Sequence, residues 1–342
     1  MIKYIHICPD EKFINAAMLQ FNEVNKQENF FIIVNDNDKL TYVDSKNCLM
    51  LRPAALYLFI LKNFFSLRKK TIILHSVKKF SKIATMLLPP GCKVVWIGFG
   101  FDYYGYIKYS KFNFFKKITE FLFLKKIDFF SPVLINEYDL IRNSVPYFKP
   151  QILDWNYDVV TFYWDTILPI MEYKILIGNS ATITNNHIEI LTILEKLNLK
   201  CEIVVPLSYG SVDYKNEILS ILESIDLETR PLLDYMDIND YYNEICSCSH
   251  VIMNHSRQQA YGNIMIALFA GCKIFLRREN PLYEYLKTSG FYIYTIDDIE
   301  QEITSKLIIN EKEHNQKLAK YLYSKTRFLS RTKYFTELVK NE

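Results

Sequence analysis

Three segments hold the residues whose types and spacing could do chemistry. In the first, an apolar run ends in Gly178, Asn179 and Ser180, followed by Thr182, Thr184, Asn185, Asn186 and His187 before an apolar stretch of helical period. Glycine permits close backbone approach, and hydroxyls and amides at a helix N-terminus suit an anion such as phosphate. An Asx/Ser-rich helix cap with nothing bound reads equally well. In the second, Pro206-Leu-Ser-Tyr-Gly210 places Tyr209 where it can stack on a base or a sugar, or simply form a turn. The third, residues 251–281, carries most: a strand ending at Asn254, a polar loop with His255, Ser256, Arg257, Gln258 and Gln259, then Gly262-Asn263 opening the helix Ile264–Ala270. A cation and free amides converging at a helix N-terminus suit a diphosphate that gains charge as a leaving group. Arg277-Arg278-Glu279-Asn280-Pro281 follows, with Glu279 suited to accept hydrogen bonds from ribose or sugar hydroxyls; a surface ion-pair cluster is the alternative.

The first half offers proton-transfer candidates. Trp96 to Gly105 holds three of the nine glycines within eight residues, with Asp102 in an aromatic loop where burial would raise a carboxyl pKa into the range of a general base. Capping of the next helix is the structural alternative for Asp102. His75, at the end of TIILH, and Asp10, after the first apolar run, are further candidates.

These segments sit after short apolar runs: Ile2–Cys8, Phe30–Val34, Thr71–His75, Lys93–Ile97 and Phe129–Val133, then Lys174–Ile177, Cys201–Pro206, His250–Met253, Lys273–Leu276 and Phe291–Tyr294. Continuous rather than alternating apolar runs, separated by helix-length stretches, predict parallel strands buried on both faces. Such sheets bind ligands beyond the carboxyl ends of their strands, where the polar segments fall. Helices are predicted over Asp297–Ile309 and Glu311–Val339. Pro146, Pro150 and Pro169 punctuate the least regular stretch. The reading is α/β with two Rossmann-like domains facing a central cleft: residues 1–165, residues 166–325, and a C-terminal helix over 326–342 packing back on the first domain.

With 342 residues, 50% hydrophobic and 23% charged, the chain can bury two cores, which argues against extended disorder. A net charge of +3 gives no global field to recruit nucleic acid. Seven scattered cysteines form no zinc pattern, so no metal is expected, and reduced thiols fit best. Neither a signal peptide nor a spanning helix is read. The absence of GxGxxG, GxxxxGK[ST], GxSxG and HExxH removes the usual support for oxidoreductase, P-loop kinase, hydrolase and metalloprotease readings. Residues 107–130 interleave Lys111, Lys116 and Lys117 with Phe114, Phe115 and other aromatics, as 56–70 do less densely. On a helix this predicts contact with an anionic membrane surface; a core face with solvated lysines is the alternative.

At YIHICPDEKFI, LHS around His75, W-x-x-x-G-x-D-x-Y at Trp96, ILIGNSATITNNH, IVVPLSYG, SRQQAYGN, AGCKIFL and RRENP, the chain resembles the TDP-N-acetylfucosamine:lipid II N-acetylfucosaminyltransferase family. The resemblance implies a GT-B glycosyltransferase, with the donor held by the C-terminal domain and the acceptor by the N-terminal one. It also implies an inverting, metal-independent mechanism with no cofactor beyond the nucleotide-sugar itself. Carried over, the donor-site candidates are Gly178, Asn179, Ser180, Tyr209, Arg257, Gln259, Gly262, Asn263, Glu279 and Asn280. Asp102 leads His75 and Asp10 as base on position and chemistry. The expected reaction moves a 6-deoxy-acetamido sugar from a dTDP donor to a polyprenyl-diphosphate-linked saccharide, in O-antigen or common-antigen synthesis, by a peripheral enzyme at the cytoplasmic face of the bacterial inner membrane. A UDP-sugar transferase with another saccharide acceptor, or a non-catalytic scaffold of the same fold, remains open.

Overall fold

The computed structural model describes residues 1–37, 39–157 and 172–341. The chain forms two compact units, one of Met1–Val159 with Lys325–Glu342 and the other of Val160–Ser324. The domain boundary expected at 165/166 lies outside the described residues.

The first unit is built on seven parallel strands: β1 (Tyr4–Pro9), β2 (Asn29–Val34), β3 (Leu49–Leu51), β4 (Thr71–His75), β5 (Lys93–Ile97), β6 (Phe129–Ser131) and β7 (Gln151–Ile152), in the order β3-β2-β1-β4-β5-β6-β7. Along β1, Ile5 and Ile7 enter one core while Tyr4 and Cys8 enter the other, on the opposite face. Both faces are covered, which is why these strands read as unbroken apolar runs. The helix Lys325–Val339 belongs to this unit, and its buried residues Phe328, Thr332, Phe335, Thr336 and Val339 recur at helical spacing. Tyr4 Oη donates to the Thr336 carbonyl at 2.8 Å, Trp155 Nε1 to Thr332 Oγ1 at 2.9 Å and Asn25 Nδ2 to Thr336 Oγ1 at 2.9 Å, while Phe335 packs on Phe21 and Trp155.

The second unit has six parallel strands, β8 (Glu172–Ile177), β9 (Glu202–Pro206), β10 (Thr229–Leu232), β11 (Cys248–Met253), β12 (Lys273–Leu276) and β13 (Tyr294–Thr295), ordered β10-β9-β8-β11-β12-β13. In each sheet the strand order reverses beside the first strand, at β1/β4 and at β8/β11. Loops leaving those strands diverge and open a crevice at their carboxyl ends.

Two helix expectations change. The helix expected over Glu311–Val339 is interrupted at Tyr323 and Ser324, giving Ile309–Leu322 in one unit and Lys325–Val339 in the other. The helix expected over Asp297–Ile309 is only Ile299–Glu302, preceded by a 3-10 turn.

Candidate functional site

At the carboxyl end of β8, Gly178 adopts φ +68°, and a Cβ there would lie 2.5 Å from His187 Nε2 and 2.7 Å from Asn185 Oδ1. Only glycine fits without displacing that pair. Asn185 organises the loop: its Oδ1 accepts from the Asn179 amide at 2.9 Å, and its Nδ2 donates to Thr182 Oγ1 at 2.7 Å and Ser180 Oγ at 3.2 Å. The loop after β9 approaches closely, with the Ala181 amide donating to the Tyr209 carbonyl at 2.7 Å and the Ser211 amide to the Ala181 carbonyl at 2.8 Å.

The loop after β11 closes the crevice. Gln259 reaches across it, donating from Nε2 to Asn179 Oδ1 at 3.1 Å and accepting at Oε1 from Thr184 Oγ1 at 2.8 Å. Asn179 Nδ2 donates to Tyr209 Oη at 2.8 Å, so three loops share one network. His255 Nε2 lies 2.8 Å from Asn185 Oδ1 and 3.2 Å from Asn179 Oδ1. Both amide nitrogens donate elsewhere, so these oxygens are acceptors and the His255 proton sits on Nε2. Its Nδ1 is buried without a partner, and burial, then His187 and then Arg257, holds the ring pKa down at about 3.

Arg257 differs from these neighbours. It is partly exposed and has no hydrogen-bond or ion-pair partner among the described residues. The helix Tyr261–Ala270 begins just beyond, after Ala260 in the left-handed region at φ 57°, with no side-chain cap. Gly262 and Asn263 lie in its first turn, and Asn263 Nδ2 donates to Tyr241 Oη at 3.1 Å. A guanidinium without a partner, four residues before a helix start with no side-chain cap, brings together two features that suit an anion.

The ten expected donor-site residues therefore divide. Arg257, the half-exposed Tyr209 ring (52%) and the exposed Glu279 are available to a ligand, as are the first-turn amides at Gly262 and Asn263. Asn280 corrects the expectation: its Oδ1 caps the Leu282 amide at 3.0 Å and its Nδ2 donates to the His255 carbonyl at 3.0 Å. Gln259, Asn179 and Ser180 spend their side chains on each other's loops, and Gly178 acts through its backbone. Asn185 and Thr184, named in the polar segment after β8 but not among those ten, hold the crevice together through partners up to 75 residues away in sequence, which no local pattern marks. A cavity of about 310 Å³ elsewhere in this unit, lined by Tyr283, Tyr294, Asp298 and Glu311 among others, contains none of the expected site residues.

In the first unit the three base candidates differ in what their polar atoms hold. Asp10 accepts from the Thr41 amide at 2.6 Å and the Tyr42 and Val43 amides at 3.0 Å, which fastens the 41–43 loop, and from Asn35 Nδ2 at 3.5 Å. His75 is wholly buried in a chain in which Asn29 Oδ1 faces His6 Nε2 at 3.1 Å, His6 Nδ1 faces His75 Nε2 at 2.9 Å and His75 Nδ1 faces Tyr157 Oη at 2.7 Å. Asn29 Nδ2 is committed as a donor to Phe21 and Asn25 carbonyls, so every proton in the chain is placed and both rings are neutral. Burial, then His6, holds His75 well below the usual imidazole range. The polar atoms of both residues are engaged within this unit. Asp102, partly exposed, accepts from Val77 N, Trp96 Nε1 and Phe99 N, each at 2.9 Å, and its own backbone amide also bonds the carboxylate. Burial raises its pKa against the lowering pull of those hydrogen bonds.

The lysine-phenylalanine stretch is not one helix. A 3-10 segment covers Tyr104–Lys111, and the α-helix Phe114–Leu124 starts where Asn113 Oδ1 accepts from the Lys116 amide at 2.9 Å. That helix buries Glu120, Phe123 and Leu124 and exposes Phe114 (72%), Phe115 (79%), Ile118, Phe121 and Leu122. Lys111 and Lys116 are exposed and Lys117 partly so; Lys116 Nζ stands 3.7 Å over the Phe112 ring. No helix among the described residues is long and apolar enough to cross a membrane.

Residues 9–323 match the model of a protein family described as 4-alpha-L-fucosyltransferase, glycosyl transferase group 56. Solved structures with the same fold include a glycosyltransferase from Rickettsia africae ESF-5, at 14% identity with a TM-score of 0.70 and 100% of both chains covered. Sucrose-phosphate synthase from Thermosynechococcus elongatus is similar at 9% identity, TM-score 0.66, over 98% of this chain and 99% of that one. Anabaena HepE, solved with UDP and glucose, is similar at 9% identity, TM-score 0.65, over 98% and 99%. The Rickettsia glycosyltransferase and the sucrose-phosphate synthase share the GT-B architecture.

Proposed function

The chain belongs to the 4-alpha-L-fucosyltransferase family, glycosyl transferase group 56, and is a GT-B glycosyltransferase; from that premise we propose that its second unit takes a dTDP-linked 6-deoxy-acetamido sugar and that its first unit presents the acceptor hydroxyl. The observation that carries the donor half is Arg257. An unpartnered guanidinium in the loop that leads into a helix start with no side-chain cap suits a diphosphate in charge, and its hold strengthens as charge accumulates on the leaving group. Tyr209 offers a ring for the base or sugar, and Glu279 an acceptor for hydroxyls. The donor needs no cofactor in this reading.

In the transfer, the acceptor O–H proton passes to the Asp102 carboxylate, whose pKa burial raises, as the oxygen bonds the sugar's anomeric carbon. The bond from that carbon to the diphosphate oxygen breaks on the opposite face, leaving dTDP. The acceptor is a polyprenyl-diphosphate-linked saccharide of O-antigen or common-antigen assembly. Phe114, Phe115 and the flanking Lys111, Lys116 and Lys117 hold the enzyme peripherally on the anionic cytoplasmic face of the bacterial inner membrane, the phenylalanines entering the interface and the ammonium groups meeting headgroup phosphates.

Arg257→Ala tests the donor half: turnover falls by about tenfold or more if it stabilises the leaving diphosphate. Unchanged turnover in a folded variant removes that role.

A further inference from the structure

The loop that carries Arg257 is anchored at both ends. At one end Gln259 bonds Asn179 and Thr184 across the crevice. At the other, Asn254 is wholly buried and is held from the end of β12 by Arg277, whose Nε donates to Asn254 Oδ1 at 2.9 Å. The same guanidinium forms an ion pair with Glu189, in the first turn of the helix His187–Lys196. Asn254 Nδ2 donates to Glu189 Oε2 at 2.9 Å and so closes a ring of three side chains, Arg277, Glu189 and Asn254. The backbone joins this ring, with Asn186 Nδ2 donating to the Asn254 carbonyl at 2.8 Å and Asn254 Nδ2 reaching the Asn186 carbonyl at 3.3 Å. Asn186 precedes the helix at φ 49°, the left-handed region that asparagine tolerates better than most residues. Loops leaving β8, β11 and β12 therefore meet at one clamp.

We infer that Arg277 is a positioning residue for donor binding, one that fixes Asn254 and thereby sets where the Arg257 guanidinium, three residues on, meets the diphosphate. Its own donors are turned to protein: the side chain is 26% exposed and serves an amide oxygen and a carboxylate. A planar fork can hold two acceptors at a fixed angle, which a lysine ammonium cannot. Without it, the buried Asn254 oxygen loses its guanidinium donor, and the loop shifts to recover one. A displacement of about 1 Å is enough to weaken a charge contact that depends on alignment. The inference rests on the donor role proposed for Arg257.

The test is a double-mutant cycle on the full chain, read by calorimetric titration with dTDP: wild type, Arg257→Ala, Arg277→Ala and the pair. Arg277→Ala should weaken dTDP binding by about threefold to tenfold in the wild-type background, and by less than about twofold once Arg257 is alanine, because nothing is then left to position. Arg277→Lys, which keeps the charge without the fork, should recover only part of the loss. Melting temperatures separate loss of fold from loss of position. If Arg277→Ala does not fold, Glu189→Gln cuts the same clamp at a carboxylate that is 48% exposed. Equal weakening in both backgrounds, or full recovery with lysine, overturns the proposal. Arg257→Ala binding dTDP as tightly as wild type does refutes the donor reading instead, and the positioning role falls with it.

Discussion

Acidification should unfold this protein through its histidines before its carboxylates titrate. Five of the six, His6, His75, His187, His250 and His255, are fully buried, and the structure holds each ring neutral. Burial lowers His6 and His255 to about 3 and His187 and His250 to about 4, from an ordinary 6.5, with His75 also well below it. A depressed folded-state pKa means that the unfolded chain binds the proton first. Stability is therefore complete above about pH 6.5 and falls as the pH drops from there toward the folded-state values. At pH 5 each of the four rings lowered to about 3 or 4 contributes about 2 kcal/mol in favour of the unfolded state. The second unit, with three of them, loses about 6 kcal/mol, against the 5–15 kcal/mol typical of a domain; the first loses about 2 kcal/mol through His6, and His75 adds to it in the same direction. Urea titrations at pH 7, 6 and 5, followed by tryptophan fluorescence and far-ultraviolet circular dichroism, should show the unfolding midpoints falling, with net proton uptake on unfolding. His250→Gln should flatten the pH dependence of the second unit. Midpoints unchanged between pH 7 and 5 would refute the neutral-ring assignment, including the proton order of the His6–His75–Tyr157 chain.

Other consequences follow from single contacts. Asp102→Asn should abolish transfer while calorimetric dTDP binding survives; near-normal transfer would remove Asp102 as the base. Gly178→Ala, which places a Cβ 2.5 Å from His187 Nε2, should weaken dTDP binding by about tenfold or more through displacement of the Asn179–Thr184 loop. Co-sedimentation with anionic liposomes should be lost when Lys116 and Lys117 become alanine and in high salt, whereas no binding at low salt would return those lysines to a solvated face. Phe335→Ala, opening a void against Phe21 and Trp155, should cost about 3–5 kcal/mol in a denaturant titration.

The central strands were legible because burial on both faces writes an unbroken apolar run, and β4, β5 and β12 keep their expected limits. Edge strands were not. β10 reads Thr-Arg-Pro-Leu, and Pro231, which cannot donate to a ladder, is tolerated there because β10 is the last strand of its sheet. β3 and β7 have three and two residues, too short for any periodicity. The candidate site divides the same way. A strand, a polar loop with an arginine and a helix start can be seen in sequence, and Arg257 stands where that pattern puts it. Whether a polar side chain is free or spent depends on a partner brought by the fold. Asp10 serves amides more than thirty residues ahead, and Asn280 serves the carbonyl of His255, so from the sequence alone Asp10 reads as a candidate base and Asn280 as a donor contact.

The most direct test of the account is calorimetric titration of wild type and Arg257→Ala with dTDP and UDP, with and without Mg²⁺. The account predicts that dTDP binds the wild type without metal and more tightly than UDP, and that Arg257→Ala loses about tenfold or more of that affinity. Equal binding by the two proteins, or no binding of either nucleotide to the wild type, would contradict it.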